Sequence, residues 1–242
     1  MSREDDAQLL RNRAMEVQFS DPGESLRILK EVIHKYPDTS TVTDNAVADI
    51  VSVCVVNRMW DEAIASCAIA QTIRPDHAEH YQLEADACRL MKEGREVEAT
   101  ELRLRKDTLY GQWFGTIRDY GDKFHTLGAN DRAWRLYNEA ARLAVSQRES
   151  PHTVRESMAR FLLDENKPAT AAEILITGMC EASRWAKRGI PKSLITLLKK
   201  ALRLCRITDT PTFDTILEAC KSDRHDQAIS AFRIAKESRA GH

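Results

Sequence analysis

The chain predicts an all-α protein, an α-solenoid of about six antiparallel helix pairs, and three observations lead there. Ala63, Ala99, Ala133 and Ala171 recur at intervals of 36, 34 and 38 residues, each followed by an apolar run of helical period. A unit of two amphipathic helices cannot bury its apolar face alone, so copies at this spacing must stack into one continuous core. Leu, Ala, Arg, Lys and Glu dominate, while aromatics make up 6% and there are 9 Gly and 7 Pro, a balance that favours helix over sheet. No apolar run alternates over a strand length. At 242 residues the stack fills the chain, giving a single elongated domain over 1–242.

Each element has its own signal. The first pair, about 6–37, opens with AQLLRNRAMEVQF, stopped by SDPG at 20–23; ESLRILKEVIHKYPD follows with Ser25, Leu29, Val32 and Ile33 inward and Pro37 closing it. The second, about 44–75, starts at a capping Asp44 with NAVADIVSVCVVN, apolar nearly all round and so expected between neighbours. Its partner DEAIASCAIAQTIRPD buries Ala63, Cys67 and Ala70 and ends at Pro75, 38 residues after Pro37. The third pair, about 78–107, turns at Gly94, and the fourth, about 113–146, at Gly128, where a left-handed residue costs least as glycine. In the fifth, about 152–185, Pro168 opens the second helix. The spacing then breaks, because Ala171 to Ala228 is 57 residues, so an extra basic helix at about 191–206 precedes a last pair at about 210–239.

These residues resemble the tetratricopeptide repeat (TPR) family. Its pattern of bulky, small and aromatic residues in the first helix and Ala, aromatic, Ala, Pro in the second falls on Ile117, Tyr120, Gly121, Phe124, Ala133, Tyr137 and Ala140 in the fourth repeat. In the second it falls on Val47, Ile50, Val51, Cys54, Ala63, Cys67, Ala70 and Pro75. The first repeat departs from it, with Asn12 and Arg13 where Leu and a small residue belong, and the last unit, PTFDTILEACKSDRHDQAISAFRIAKES, resembles a pentatricopeptide repeat. The resemblance implies a right-handed superhelix whose first helices line a concave groove. Carried over, the groove positions are Tyr81, Glu84, Cys88, Met91 and Lys92, then Arg118, Asp122 and His125, then Glu156, Arg160 and Asp164. The Lys and Asn of the family's chaperone-tail readers are replaced by Leu10 and Ala14, which disfavours that ligand.

The remaining chemistry is sparse. No Walker loop, GxSxG, HExxH or GxGxxG occurs, so catalysis has no positive support, and neither a cofactor nor a metal is expected. Asp76, His77, Glu79 and His80 lie within five residues, but at a helix start, where acids serve the cap and the macrodipole. Cys180, Cys205 and Cys220 read as packing residues, although His225 follows Cys220 closely. Six scattered cysteines without a CxxC argue against a disulfide framework. No basic-then-apolar start and no long apolar run marks a signal peptide or a membrane span, so a cytoplasmic protein away from membranes is expected. Net charge is -1, yet residues 181–208 carry eight cations against Glu181. Within SRWAKRGIPKSLITLLKKALRLCR, Leu194, Leu197, Leu198, Ala201, Leu202 and Cys205 form an apolar stripe. The basic patch is Lys187, Arg188, Lys192, Lys199, Lys200, Arg203 and Arg206. The expectation is a non-catalytic scaffold or adaptor binding a protein or peptide, with a small-molecule ligand disfavoured. The alternative is an RNA-associated helical repeat using 184–206; nucleic acid is the less favoured partner.

Overall fold

A computed structural model describes residues 2–37, 40–185 and 189–240. Among them there are thirteen α-helices and no strand: α1 (Arg3–Val17), α2 (Pro22–Lys35), α3 (Ser40–Val56), α4 (Trp60–Ile73), α5 (Ala78–Lys92), α6 (Glu96–Thr108), α7 (Phe114–Thr126), α8 (Asn130–Ser146), α9 (His152–Asp164), α10 (Pro168–Trp185), α11 (Lys192–Leu204), α12 (Thr210–Lys221) and α13 (His225–Ala240). They form consecutive helix pairs, with α11 as the extra helix, in the all-α repeat arrangement the spacing predicts. Contacts divide the chain into two compact units, Met1–Gly111 and Gln112–His242, a boundary that the alanine spacing does not mark. No described helix is long and apolar enough to cross a membrane.

The recurring alanines sit where the two helices of a pair meet. Ala63, Ala99, Ala133, Ala171 and Ala228 are all fully buried. In the first unit α3 packs against α1, α2 and α4, as its uniform apolarity demands, with Val42, Ala46, Val53 and Cys54 buried. In the second unit the first helices α7 and α9 and the extra helix α11 lie side by side, while α10 packs against α9, α11, α12 and α13. Phe161 of α9 locks that unit. Its ring lies 5.5 Å from Trp134 in a stacked pose, with His125 and Tyr137 edge-on at 4.9 and 6.0 Å.

Two helix starts differ from the sequence reading. Asp44 is not a cap: α3 begins at Ser40, and Asp44 lies within it, 3.7 Å from the Arg74 guanidinium. Burial of Val42, and the bond that Thr43 Oγ1 donates to the Tyr36 carbonyl at 2.9 Å, draw an extra turn into the helix. SDPG does end α1, but Pro22 and Gly23 already belong to α2, whose N-cap Asp21 accepts the Glu24 N–H at 2.9 Å.

The turns share one geometry. Arg58, Gly94, Gly128, Arg148, Asn166, Arg206 and Asp223 all have positive φ, between 52° and 74°. Each is followed by an N–H that reaches back to the carbonyl five residues earlier, as in Met59 to Cys54 at 2.8 Å, Ala129 to Phe124 at 2.8 Å and Lys167 to Leu162 at 2.7 Å. This is the Schellman closure of a helix C-terminus. Five of the seven left-handed positions are not glycine, so each carries a steric cost that glycine would remove.

Two outcomes follow for stability. Ala133→Glu or Ala63→Glu puts an unpaired carboxylate at a fully buried crossing and should destabilise by several kcal/mol; unchanged thermal melts for both would contradict this packing. Arg148→Gly should instead raise the melting temperature, by relief of about 0.5–1 kcal/mol of left-handed strain, measured by calorimetry.

Candidate recognition surface

The predicted groove residues separate by unit. In the first unit Tyr81, Glu84 and Cys88 of α5 are buried at 4%, 4% and 0% exposure, so they do not stand on an open face. Tyr81 packs with Val47, Val51, Cys67, Ala70 and Ala85. Glu84 is held by cations of the next helix, accepting from Arg103 Nε at 2.9 Å and from Lys106 Nζ. Burial pushes the Glu84 carboxyl upward, but Lys106 and Arg103 outweigh it and hold it below its ordinary value of 4.5. This triad is a structural clamp of α5 on α6. It was missed because the cations lie 19 and 22 residues away on another helix, outside any local pattern. Met91 is half-buried, and Lys92 is exposed with its Nζ 2.7 Å from Asp61.

In the second unit the predicted residues do meet. Asp122 and His125 of α7 face Ser157 and Asp164 of α9: Ser157 Oγ donates to Asp122 Oδ2 at 3.3 Å, and His125 Nε2 lies 3.1 Å from Asp164 Oδ2. Asp122 also accepts the Tyr137 hydroxyl at 2.7 Å; burial, then this bond, raises the phenol above its usual range, so it stays the donor. On α9 Glu156 pairs with Arg160 at 2.7 Å and accepts Ser193 Oγ of α11 at 2.8 Å. Arg118 pairs with its neighbour Asp119 at 2.6 Å. The face is a polar lattice crossing α7, α9 and α11, in which Asp122, Arg160 and Asp164 remain exposed. Ser157, Ser193 and Tyr137 complete it, and the sequence reading did not assign them there.

The basic patch is only partly described, since Lys187 and Arg188 lie outside the described residues. The apolar stripe of α11 is buried at Leu194, Leu197, Leu198, Ala201 and Leu202, which leaves Lys192, Lys199, Lys200, Arg203 and Arg206 exposed. None of these five forms an ion pair among the described residues. Lys199 Nζ lies over the Phe213 ring, 4.8 Å from its centroid.

Most of the other candidates have structural partners, His80 Nδ1 being buried without a hydrogen bond. His77 contacts Asp76 and Tyr110, Glu79 pairs with Arg105 at 2.9 Å, and no group among the described residues could hold a metal ion. His225 Nε2 meets Thr177 Oγ1 at 3.1 Å rather than Cys220. Burial pushes the Cys88 thiol up to about 11 and the Cys67 thiol up to about 12; a bond with Cys180, then burial, raises Cys220 as well. Thiols raised this way are protonated and poor nucleophiles.

Glu84→Gln should destabilise the fold by about 3 kcal/mol, because Arg103 loses its countercharge and Lys106 keeps only Asp107, 3.4 Å away. A carboxyl with a lowered folded pKa contributes stability above its unfolded value and loses it as pH falls through the folded one. Urea unfolding from about pH 6 down to pH 3 should therefore show an acid-side loss in the wild type that is smaller in Glu84→Gln. Comparison of the chain with protein-family models, with curated proteins and with solved structures finds no match.

Proposed function

We propose that this chain is a TPR-like, non-catalytic scaffold that captures a protein or peptide on the exposed face of α7 and α9. The supporting observation is the lattice that joins Asp122 to Ser157, His125 to Asp164 and Glu156 to Ser193. A face whose side chains are already fixed loses little entropy on binding, so the ordering cost falls mainly on the ligand. Arg118 and Arg160 supply cations beside Asp122, Glu156 and Asp164, and this mixed charge suits a peptide of alternating charge better than a polyanion. A cytoplasmic setting fits the six free cysteines, five of them buried.

The unpaired row Lys192, Lys199, Lys200, Arg203 and Arg206 favours a second reading, an RNA-associated repeat protein. One experiment separates the two. Affinity capture from nuclease-treated and untreated lysate, followed by mass spectrometry, is expected to return the same protein partner in both. Arg118→Glu with Arg160→Glu should then weaken that capture about tenfold or more, with the fold retained and the melt lowered by only about 1–2 kcal/mol through loss of the Arg118–Asp119 and Arg160–Glu156 pairs. Sequence-selective binding of single-stranded RNA that survives the groove pair, and that is lost on neutralising Lys199, Lys200, Arg203 and Arg206, would transfer the function to the second reading.

A further inference from the structure

The first unit carries a separate surface, unrelated to the α7–α9 face. Helices α2 and α4 both pack along α3 but not closely on one another, which leaves a trough of about 520 Å3 with α3 as its floor. Val47 and Ile50 form that floor and are buried, and Ile33 stands half-buried on the α2 wall. On the α4 wall Ile69 and Ile73, one turn apart, are 60% and 41% exposed. The inward face of α4 is already satisfied by Ala63, Cys67 and Ala70, all fully buried, so these two isoleucines form a second apolar ridge with nothing packed over it. An apolar partner face laid over the two isoleucines would remove their exposed area from water, which is a gain the polar surroundings cannot offer.

The lining also specifies charge. Lys30 and His34 stand one turn apart on the α2 rim; among the described residues neither has an ion-pair partner and no carboxylate lines the trough. Secondary structure follows from the backbone requirement. Over this apolar floor an extended peptide would leave the backbone N–H and C=O groups that face Val47 and Ile50 without partners, since no strand edge is present among the described residues, whereas a helix satisfies those groups internally. A helix seated about 8–10 Å from each neighbour touches α2, α3 and α4 together and covers the Ile69–Ile73 ridge along its length. A small amphiphile would leave that ridge wet. We propose that the α2–α3–α4 trough is a docking site for an acidic amphipathic helix of a partner protein, with Leu- or Ile-type residues at i, i+3/i+4 and i+7 on Val47, Ile50 and the ridge, and Asp or Glu on the flank facing Lys30 and His34.

The test uses the full chain and a display library of helix-forming peptides with a fixed leucine stripe and flanks randomised among Glu, Lys and Gln. The retained pool is expected to be rich in Glu on one flank and poor in Lys. Ile69→Lys with Ile73→Lys should reduce retention of that pool about tenfold or more; both residues are exposed, so the melt should stay near wild type. Lys30→Glu should shift the selected flank from Glu towards Lys, a change of preference that misfolding cannot produce. A pool without charge preference, or one held equally by the isoleucine double variant, would overturn the proposal. So would displacement of the pool by dodecanoate at concentrations below its micelle point, which assigns the trough to a small amphiphile. Dimerisation of the wild type in sedimentation that the double variant abolishes would assign it to a second copy of this chain.

Discussion

The close approach of two helices at one small residue is the constraint on which the architecture depends. At the fourth pair the fit is tight on both sides: a Cβ on Gly121 would lie 2.6 Å from the Tyr137 ring, and Ala133, one turn before Tyr137 on α8, has no exposed surface. Because the helices meet there, Tyr137 can pass its hydroxyl across to Asp122, and Asp122 can in turn receive Ser157 from the next pair. The polar face on α7 and α9 is thus an outgrowth of the core. Interiors pack at crystal-like density, so a methyl added at the crossing would move the hydroxyl that anchors the face.

A second constraint fixes the direction of the chain at seven of the helix ends. Seven turns use the same left-handed residue followed by a backbone bond to the carbonyl five residues back. Reuse of one turn lets pairs of different sequence dock in similar ways, as repeat architectures require. Arg58, Arg148 and Arg206 hold this conformation without glycine's freedom, so packing of the flanking helices overrides local preference at those turns.

What could be read from the sequence was local. The apolar stripe of α2, the Ala63, Cys67 and Ala70 stripe of α4 and the proline at the start of α10 act within one helix or one turn, the alanine spacing repeats such a local signal along the chain, and each survives in the structure. Gly94 and Gly128 were legible as left-handed turns because glycine announces that conformation; Arg58, Arg148 and Arg206 were not, because an arginine side chain does not, and Asn166 and Asp223 give only a weaker signal of it. The beginning of α3 was displaced by tertiary burial of Val42 and the Thr43 bond to Tyr36, which an N-cap rule applied to Asp44 does not contain. Assigning Tyr81 and Glu84 to a groove by register placed two residues on an open face that are in fact enclosed. Register gives the direction a side chain leaves its own helix, while the neighbouring helices, α3 and α4 at Tyr81 and α6 at Glu84, decide whether that direction meets water.

The same reasoning explains why exposure differs between the two candidate surfaces. On α7 and α9 the exposed side chains are polar and bonded to one another, so solvent satisfies what the lattice leaves over, and a ligand must exchange those contacts on entry. In the α2–α3–α4 trough the exposed groups are Ile69 and Ile73, which gain nothing from water and would gain roughly 25 cal/mol for each Å2 covered. A ligand on the first surface is selected by complementary charge, and one on the second by shape and apolar area with charge at a single rim. The two surfaces stand on different helices in different units and share no residue.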